Sequence, residues 1–422
     1  MKNNKHLYFM SDINSPYLCS VLLCFLLIGP GHLFAGSGVY GTKAMGMGTA
    51  FLAVSDDPSA IAFNPAGLTQ LKGTQMYGGV TAITGSTKFK GSGDSEHTDF
   101  QMFFPPFMYA ASDLGTRDLR FGIGLFSPFG IGGRKWPTDG VIKYLSVENS
   151  TATGAVNPTF AYRVSPNVSI GAGISYMMAR IEAESRIDQS AVGGQDGTLK
   201  MTGQGGGWGY NLGVLFTPSP EWSFGIAYRS SIRIDYDGKV VLSNIAPALQ
   251  PLFGGNRFRS GISSKCTFPD QLGLGIAYRP SEKWTISVEA ERYGWSSLRE
   301  SKIEVERKVP VAGFTDRRTR LDWKDTLAFK IGAEYRYSKA LSLRGGYAYY
   351  PSYVPDHTLE PSNPDSDQHN ISIGFGHGLG SWLLDFSYNL GLWEDRRVEN
   401  GILSGRYENT IHYFSFGLNK AF

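Results

Sequence analysis

Five histidines follow residue 36: His97, His357, His369, His377 and His412. No pair has His-x-x-x-His spacing. His357, Asp365, Asp367 and His369 cluster in one polar stretch without the Cys or His partners of a metal site. The chain has no G-x-S-x-G, so the common serine elbow is absent. Gly374, Gly376, Gly378 and Gly380 alternate on a strand pattern and precede no helix, so they cradle no dinucleotide. These patterns predict no enzyme, no cofactor and no metal. The charged residues suggest binding instead. Arg180, Lys330 and Arg344 are candidate partners for a substrate carboxylate, or members of an internal charge network with Glu289, Glu334 and Asp385. A neutral substrate needs no such cation.

Those residues sit on segments that alternate with period two. Trp222, Phe224, Ile226 and Tyr228 share one face, and Ser223, Gly225 and Ala227 the other. The pattern recurs over Trp284–Glu291, Leu327–Arg336 and Leu341–Tyr349, with Lys330 and Arg344 on the polar face. Alternation alone fits a soluble sandwich or a membrane barrel. Length favours the barrel, because many segments reach ten residues, as a tilted spanning strand requires, against about five or six in soluble strands.

About fourteen strands are expected, near 74–90, 98–113, 117–127, 150–165, 167–185, 197–217, 220–237, 263–280, 282–300, 324–338, 340–351, 368–379, 381–394 and 406–422. Short turns near 114–116, 165–166, 218–219, 280–281 and 380 alternate with long segments at 128–149, 186–196, 238–262, 301–323, 352–367 and 395–405. That asymmetry is the mark of an outer-membrane barrel, with short periplasmic turns and long outer loops. Tyr162, Trp222, Tyr228, Tyr278, Trp284, Tyr335, Tyr337 and Trp382 are expected to form a girdle beside the short turns. Phe414, Phe416, Leu418 and Phe422 share a face of the last strand, and a terminal aromatic resembles the signal read by barrel-assembly machinery.

Composition agrees. Glycine supplies 53 of 422 residues, aromatics 13% and charged residues 18%, against about 7% glycine and about 25% charge in ordinary domains. Mean hydropathy is only −0.18, which does not suit a bundle of apolar helices. A net charge of +3 implies no nucleic-acid partner.

Residues 1–35 read as an export signal: Lys2 and Lys5, the apolar run Val21–Ile28, a Gly-Pro-Gly break, and Ala35 as a cleavage position. Cys19 and Cys24 lie inside it, leaving Cys266 without an intramolecular disulfide partner. Residues 36–72 do not alternate. Helical pieces are expected at Lys43–Ala53 and Pro58–Phe63, with Asp57 as N-cap and Asn64-Pro65-Ala66-Gly67 ending the second. A segment this small does not fold alone, and a fourteen-stranded lumen is wider than its own side chains fill. A plug inside the barrel answers both. The expected organisation is signal 1–35, hatch 36–72 and transmembrane barrel 73–422: all-β, antiparallel, monomeric and bacterial outer-membrane.

The hatch stretches Ala44-Met-Gly-Met-Gly-Thr-Ala50 and Asp56–Leu68 (DDPSAIAFNPAGL), with Phe121–Gly130 (FGIGLFSPFG), resemble the FadL/TodX family of outer-membrane transporters for long-chain fatty acids and aromatic hydrocarbons. Lesser matches include Trp208–Gly213, Ile226–Ser230, Trp323–Asp325 and Pro351–Gly374. The resemblance spans residues 36–422. It implies a fourteen-stranded barrel with an N-terminal hatch, a landing groove among outer loops, an internal pocket, and lateral exit into the membrane through a kink in the third strand. Phe126, Ser127, Pro128, Phe129 and Gly130 match that kink, and Pro128 and Gly130 suit an interrupted ladder. Asn64, Pro65 and Ala66 correspond to the hatch element beside the exit. The groove falls to loops 186–196 and 238–262, the second carrying Ile245, Ala246, Ala248, Leu249, Leu252 and Phe253. The implied partners are fatty acids, with aromatic or aliphatic hydrocarbons as the alternative, and outer-membrane lipid. An outer-membrane hydrolase and a general porin are the rival classes; the apolar plug argues against the porin.

Overall fold

The computed structural model describes residues 39–91 and 93–422. The expected export signal lies outside them. The strand pattern folds into one antiparallel sheet of fourteen staves, several interrupted: β1 (Thr74–Lys90), β2 (Pro106–Ser112), β3 (Leu119–Phe126, resuming at Ile131–Lys135), β4 (Glu148–Ser165), β5 (Val168–Ile187), β6 (Gly197–Phe216), β7 (Trp222–Arg229 and Ile232–Ser243), β8 (Arg257–Phe268 and Gln271–Ser281), β9 (Trp284–Tyr293 and Glu300–Val305), β10 (Arg317–Arg320 and Thr326–Arg336), β11 (Leu341–Tyr350), β12 (Gln368–Leu379), β13 (Trp382–Trp393) and β14 (Gly405–Ala421). Each pairs with its sequence neighbours. β1 pairs with β14 from Gln75↔Ala421 to Lys90↔Arg406, which closes the cylinder. Closure removes the two sheet edges, whose unpaired peptide groups lipid does not tolerate.

The wall has two storeys. In the lower one, apolar side chains point out and small or polar ones point in. On β7, Phe224, Ile226 and Tyr228 face outward, while Ser223, Ala227 and Arg229 are buried inside. In the upper one the chemistry inverts. Ile232, Ile234, Tyr236, Val240 and Leu242 are buried inside, while Arg233, Asp235, Asp237 and Lys239 face outward. The switch on β7 and β8 falls at the breaks Ser230–Ser231 and Pro269–Asp270, where β7 slips one residue against β6. A one-residue slip exchanges the faces of a strand. The upper storey therefore encloses an apolar core, reaching from Phe129 and Trp136 through Phe268 to Trp295, Phe314 and Tyr353.

Two aromatic girdles bound the lower storey. Trp222 stacks on Tyr278, and Trp284 meets Tyr335, near the short turns. Tyr176 meets Trp208, and Tyr210 meets Tyr228, higher up. Tyr228 thus belongs to the upper girdle rather than the lower one. Eight residues separate Trp208 from Phe216 on β6, about 20 Å of height at a rise near 3.3 Å and a tilt near 40°.

Residues 39–72 lie against the inward face of the lower storey. Their helix covers Thr42–Gly46, and 3₁₀ turns cover Pro58–Ile61 and Pro65–Gln70, the last where the sequence suggested only a stop. Asp57 caps the Ser59 amide at 2.8 Å. Phe51, Ile61 and Leu68 are fully buried, each contributing about 1.5–3 kcal/mol. Glycines in the wall let the segment's backbone approach. A Cβ on Gly346 would stand 2.2 Å from the Gly48 nitrogen. The substitution Gly346→Val should therefore cost about 1–3 kcal/mol of the segment's docking. The barrel should still assemble, and limited proteolysis should cut residues 39–72 of the folded variant and spare the parent.

Candidate functional site

The break in β3 is the centre of the site. Phe126 pairs with Ala155 and Ile131 with Ala152, so four residues, 127–130, stand opposite two on β4. Gly130 takes φ +80°, a left-handed conformation that glycine adopts without strain. The bulge is held from β4 by Thr153: its amide donates to the Gly130 carbonyl at 3.0 Å, and its hydroxyl accepts from the Phe129 amide at 3.2 Å. All five residues from Phe126 to Gly130 are buried.

The bulge opens the other seam. β2 and β3 pair from Ser112↔Phe121 to Met108↔Leu125 and no further. Beyond that, the Asp99 amide, in the chain before β2, donates to the Lys135 carbonyl at 2.7 Å. Between these points residues 100–107 and 126–134 share no ladder pairing. Pro105 and Pro106 carry no amide hydrogen, so an unpaired stretch here leaves fewer donors unsatisfied. Phe100, Met102 and Phe104 point outward beside the gap. A small cavity behind it is lined by Ile83, Phe103, Ile411, Gly133 and Arg134, with Arg134 Nε donating to Thr87 at 2.8 Å.

The inner side of the bulge faces the N-terminal segment. Tyr40 donates its hydroxyl to the Pro128 carbonyl at 2.6 Å, and its ring packs edge-on against Phe126 and Phe63. Phe129 turns the other way and packs on Phe268 at 4.6 Å, in the upper core. The bulge therefore joins the two apolar clusters of the lumen. Asn64, Pro65 and Ala66 are not the residues that meet it. They pack chiefly on β5 and β6: Asn64 donates to the Val214 carbonyl at 3.0 Å, and a Cβ on Gly171 would strike Pro65. Tyr40 is the segment residue that bonds to the bulge, with Phe63 packed behind it.

The candidate cations separate. Arg180 is on the outward face, with Met178 and Tyr176, and its guanidinium meets only Glu182 at 2.6 Å. The alternation of β5 puts it outside the lumen, which excludes it as an internal carboxylate partner. Lys330 and Arg344 are inside and already engaged. Lys330 holds Glu289 at 2.7 Å and Glu291 at 2.5 Å; Arg344 holds Glu334 at 2.6 Å and Asp385 at 2.5 Å. This network also grips the N-terminal segment. Glu289 accepts from the Phe51 and Leu52 amides, both at 3.1 Å, and Lys43 lies between Asp56 and Glu334. Breaking one such buried pair costs about 3–5 kcal/mol, so these groups are poorly placed to change partners.

Arg229 is the cation the sequence reading passed over. It follows Ser223, Gly225 and Ala227 on the inward face of β7. It is buried, donates from Nη2 to the Ala62 carbonyl at 2.7 Å, and lies over the Phe126 ring. Its Nη1 has no partner among the described residues. It borders a cavity lined by the rings of Tyr40, Phe63 and Tyr293 and by the polar groups of Gln271, Lys330, Glu289 and Glu291. The free volume is about 30 Å³, room for one or two waters. An acyl chain fits only if Tyr40 or Phe63 moves. The signal that could have found Arg229 is the lone cation continuing a row of small inward residues.

The outer loops differ from expectation. About half of the 238–262 stretch is wall, because β7 runs to Ser243 and β8 starts at Arg257. Ile245, Ala246, Leu249 and Phe253 of the connection are buried in the upper core, with Phe253 packed on Phe258 and Phe314. The period-two pattern persists through the charged outer faces and was hidden there by the exchange of faces. The β11–β12 loop closes over this core. Pro361 accepts from the Trp136 indole at 3.1 Å, and Arg396 Nη2 donates to Val354 at 2.7 Å. Burial lifts the Asp365 carboxyl to about 6, although Ser352 and the Tyr353 and Val354 amides donate to it. Burial likewise lifts Glu360 to about 7. The His357 imidazole meets Asp322 at 3.0 Å in the loops, and no cluster of metal-ligating side chains occurs among the described residues.

Closure, girdles and a filled lumen define an outer-membrane barrel. The chain matches the description "Outer membrane protein transport protein (OMPP1/FadL/TodX)" over residues 33–422 and belongs to that family. Its place is the bacterial outer membrane. The long-chain fatty acid transport protein of Salmonella typhi is 23% identical over 418 residues, covering 90% of this chain and 92% of its own. Among solved structures, a Pseudomonas aeruginosa FadL homologue superposes with a TM-score of 0.82 at 17% identity, covering 90% of this chain and 98% of that one. The P. putida toluene transporter TodX gives 0.74 at 20% identity, covering 91% and 98%.

Two outcomes follow from this geometry. Deleting Pro128 and Phe129 removes the two surplus residues without exchanging faces, so β3 should pair continuously with β4 and meet β2. Uptake of a hydrophobic probe should then fall to background in a barrel that still shows folded mobility on gels; uptake at the parental rate would place the path elsewhere. The second concerns pH. An acid whose pKa is raised by folding favours the closed loop below its unfolded value, and that advantage is lost as pH rises through the folded value. From pH 4 to 7 the 352–367 loop should therefore loosen. Hydrogen exchange, corrected for its intrinsic pH dependence, should show falling protection there, and Asp365→Asn with Glu360→Gln should flatten the change.

Proposed function

We propose that this protein carries long-chain fatty acids or closely similar amphiphiles across the outer membrane by passive diffusion. The substrate meets the apolar upper core beneath the outer loops, descends past Phe268 and Phe129, and leaves sideways between β2 and β3. Residues 39–72 act as the hatch that keeps the lumen closed to water. Phe422, exposed at the end of β14 with its amide bonded to the Thr74 carbonyl, serves as the assembly signal. A lateral exit suits such cargo, because the acyl chain passes into lipid without crossing water.

The observation that carries the acid over the neutral hydrocarbon is the unpartnered Nη1 of Arg229 beside a small cavity of mixed lining, whose two carboxylates, Glu289 and Glu291, are already neutralised by Lys330. Nη1 carries two N–H donors, and leaving them unmet in a buried site is costly unless a water or an anion reaches them. A carboxylate at that point would be held by Arg229 while its chain lay against Tyr40, Phe63 and Phe126. The toluene transporter TodX, similar in fold, marks the alternative cargo.

Arg229→Gln decides between them. A charge-assisted hydrogen bond contributes about 1.5–3 kcal/mol, so fatty-acid binding should weaken by roughly ten- to a hundred-fold. Binding and uptake of toluene or an alkane should not change. Equal loss for acid and hydrocarbon would mean that Arg229 only supports the cavity wall, and loss of hydrocarbon uptake alone would reverse the assignment of cargo.

A further inference from the structure

The outward face of the upper storey is charged over β6, β7 and β8, and transport makes no use of it. Six cations stand on this one curved surface: Lys200, Arg233, Lys239, Arg257, Arg259 and Lys265. The register makes them neighbours. Lys200 and Arg259 flank Val241 on opposite sides, Lys239 lies one position pair below, and Arg233 lies beside the pair Asp235↔Lys265. The acids on the same surface are Asp235, Asp237, Glu304 and Glu306, with Glu184 at the edge. Lys200 approaches Glu184, which Arg186 already holds at 2.7 Å, only to 3.6 Å, and the exposed pair Arg233–Asp235 stands at 3.5 Å. Such pairs contribute little and are readily exchanged.

Height fixes what this surface meets. Lys265 is thirteen residues above the girdle residue Tyr278, and Arg259 nineteen. At about 2.5 Å of height per residue these are roughly 33 and 48 Å, against an apolar band of about 25 Å. Arg233 and Lys265 therefore stand just above the hydrocarbon, and Lys239, Arg257 and Arg259 about 15–25 Å higher, by the same rise. β11, β12 and β13 stop near the girdle, while β1 and β14 rise on the other side with Lys90, Arg406, Glu408 and Asp395 paired among themselves. The outer leaflet at these depths is a glycolipid whose lowest sugars and core carry phosphate groups.

We propose that this face binds the phosphorylated headgroup of lipopolysaccharide, Arg233 and Lys265 meeting the phosphates nearest the acyl chains and Lys239, Arg257 and Arg259 those of the core. Guanidinium forks match phosphate oxygens in pairs. The contact anchors the barrel's tall side in the leaflet, on the wall away from the β2–β3 gap.

The test uses the full protein folded in detergent, with rough lipopolysaccharide and its enzymatically dephosphorylated form as probes. The parent should bind the phosphorylated glycolipid at least several-fold more tightly, with affinity falling steeply as salt rises. The triple variant R233Q/K265Q/R259Q should lose that preference and show a shallower salt dependence, while retaining folded gel mobility and hydrophobic-probe uptake. If the triple variant fails to fold, K265Q alone and the parent's salt dependence decide the matter. Equal binding of both glycolipids by the parent, or unchanged binding by a folded variant, overturns the proposal.

Discussion

An unpaired peptide group in hydrocarbon costs several kcal/mol, and everything in this molecule follows from that. The sheet must close on itself, so β14 returns to β1 along sixteen successive residue pairs. A closed ring of fourteen staves leaves a lumen that its own side chains do not fill. The segment Val39–Lys72 fills it, and the glycine-rich inner wall is the complement of that segment's backbone. Residues 100–107 and 126–134 share no ladder pairing with each other, although each stretch keeps partners on its far side, β1 or β4.

The bulge is supported from three directions, which is how a break in the ladder persists. Thr153 satisfies its backbone from β4, Tyr40 satisfies the Pro128 carbonyl from the lumen, and Phe129 is buried against Phe268 above. Tyr40 belongs to the N-terminal segment, and Phe268 to the core under the loops. The bulge thus contacts both the N-terminal segment and the core under the loops. The buried ion pairs around Lys330 and Arg344 serve a different end: they fasten the segment to the wall and consume their own charge in doing so, which leaves Arg229 as the inner cation with a donor to spare.

The inversion of the wall between storeys has a simple cause. Lipid lies outside the lower storey and water and sugar outside the upper one, while the interior is packed protein at both levels. Side chains follow the solvent they face. At Ser230–Ser231 the backbone slips by one residue, so a single strand serves both environments.

The sequence by itself determined the number of strands, most of their courses, the short turns, the lumen-filling segment and the place of the β3 break. Each is written in local signals: period-two alternation, Pro and Gly at turns, an apolar stretch that does not alternate, and Pro128 with Gly130. Only the tertiary structure decided which charges meet. Arg180 faces outward because alternation carries it there on β5, a matter of one residue in register. Arg229 is left with a free donor because Lys330 and Arg344 found carboxylates on neighbouring staves. Tyr40, rather than Asn64, reaches the bulge because the segment's path across the lumen brings together residues 88 positions apart. Side-chain partnership across a closed barrel depends on how distant staves and the enclosed segment are placed in space, and no spacing along the chain records that.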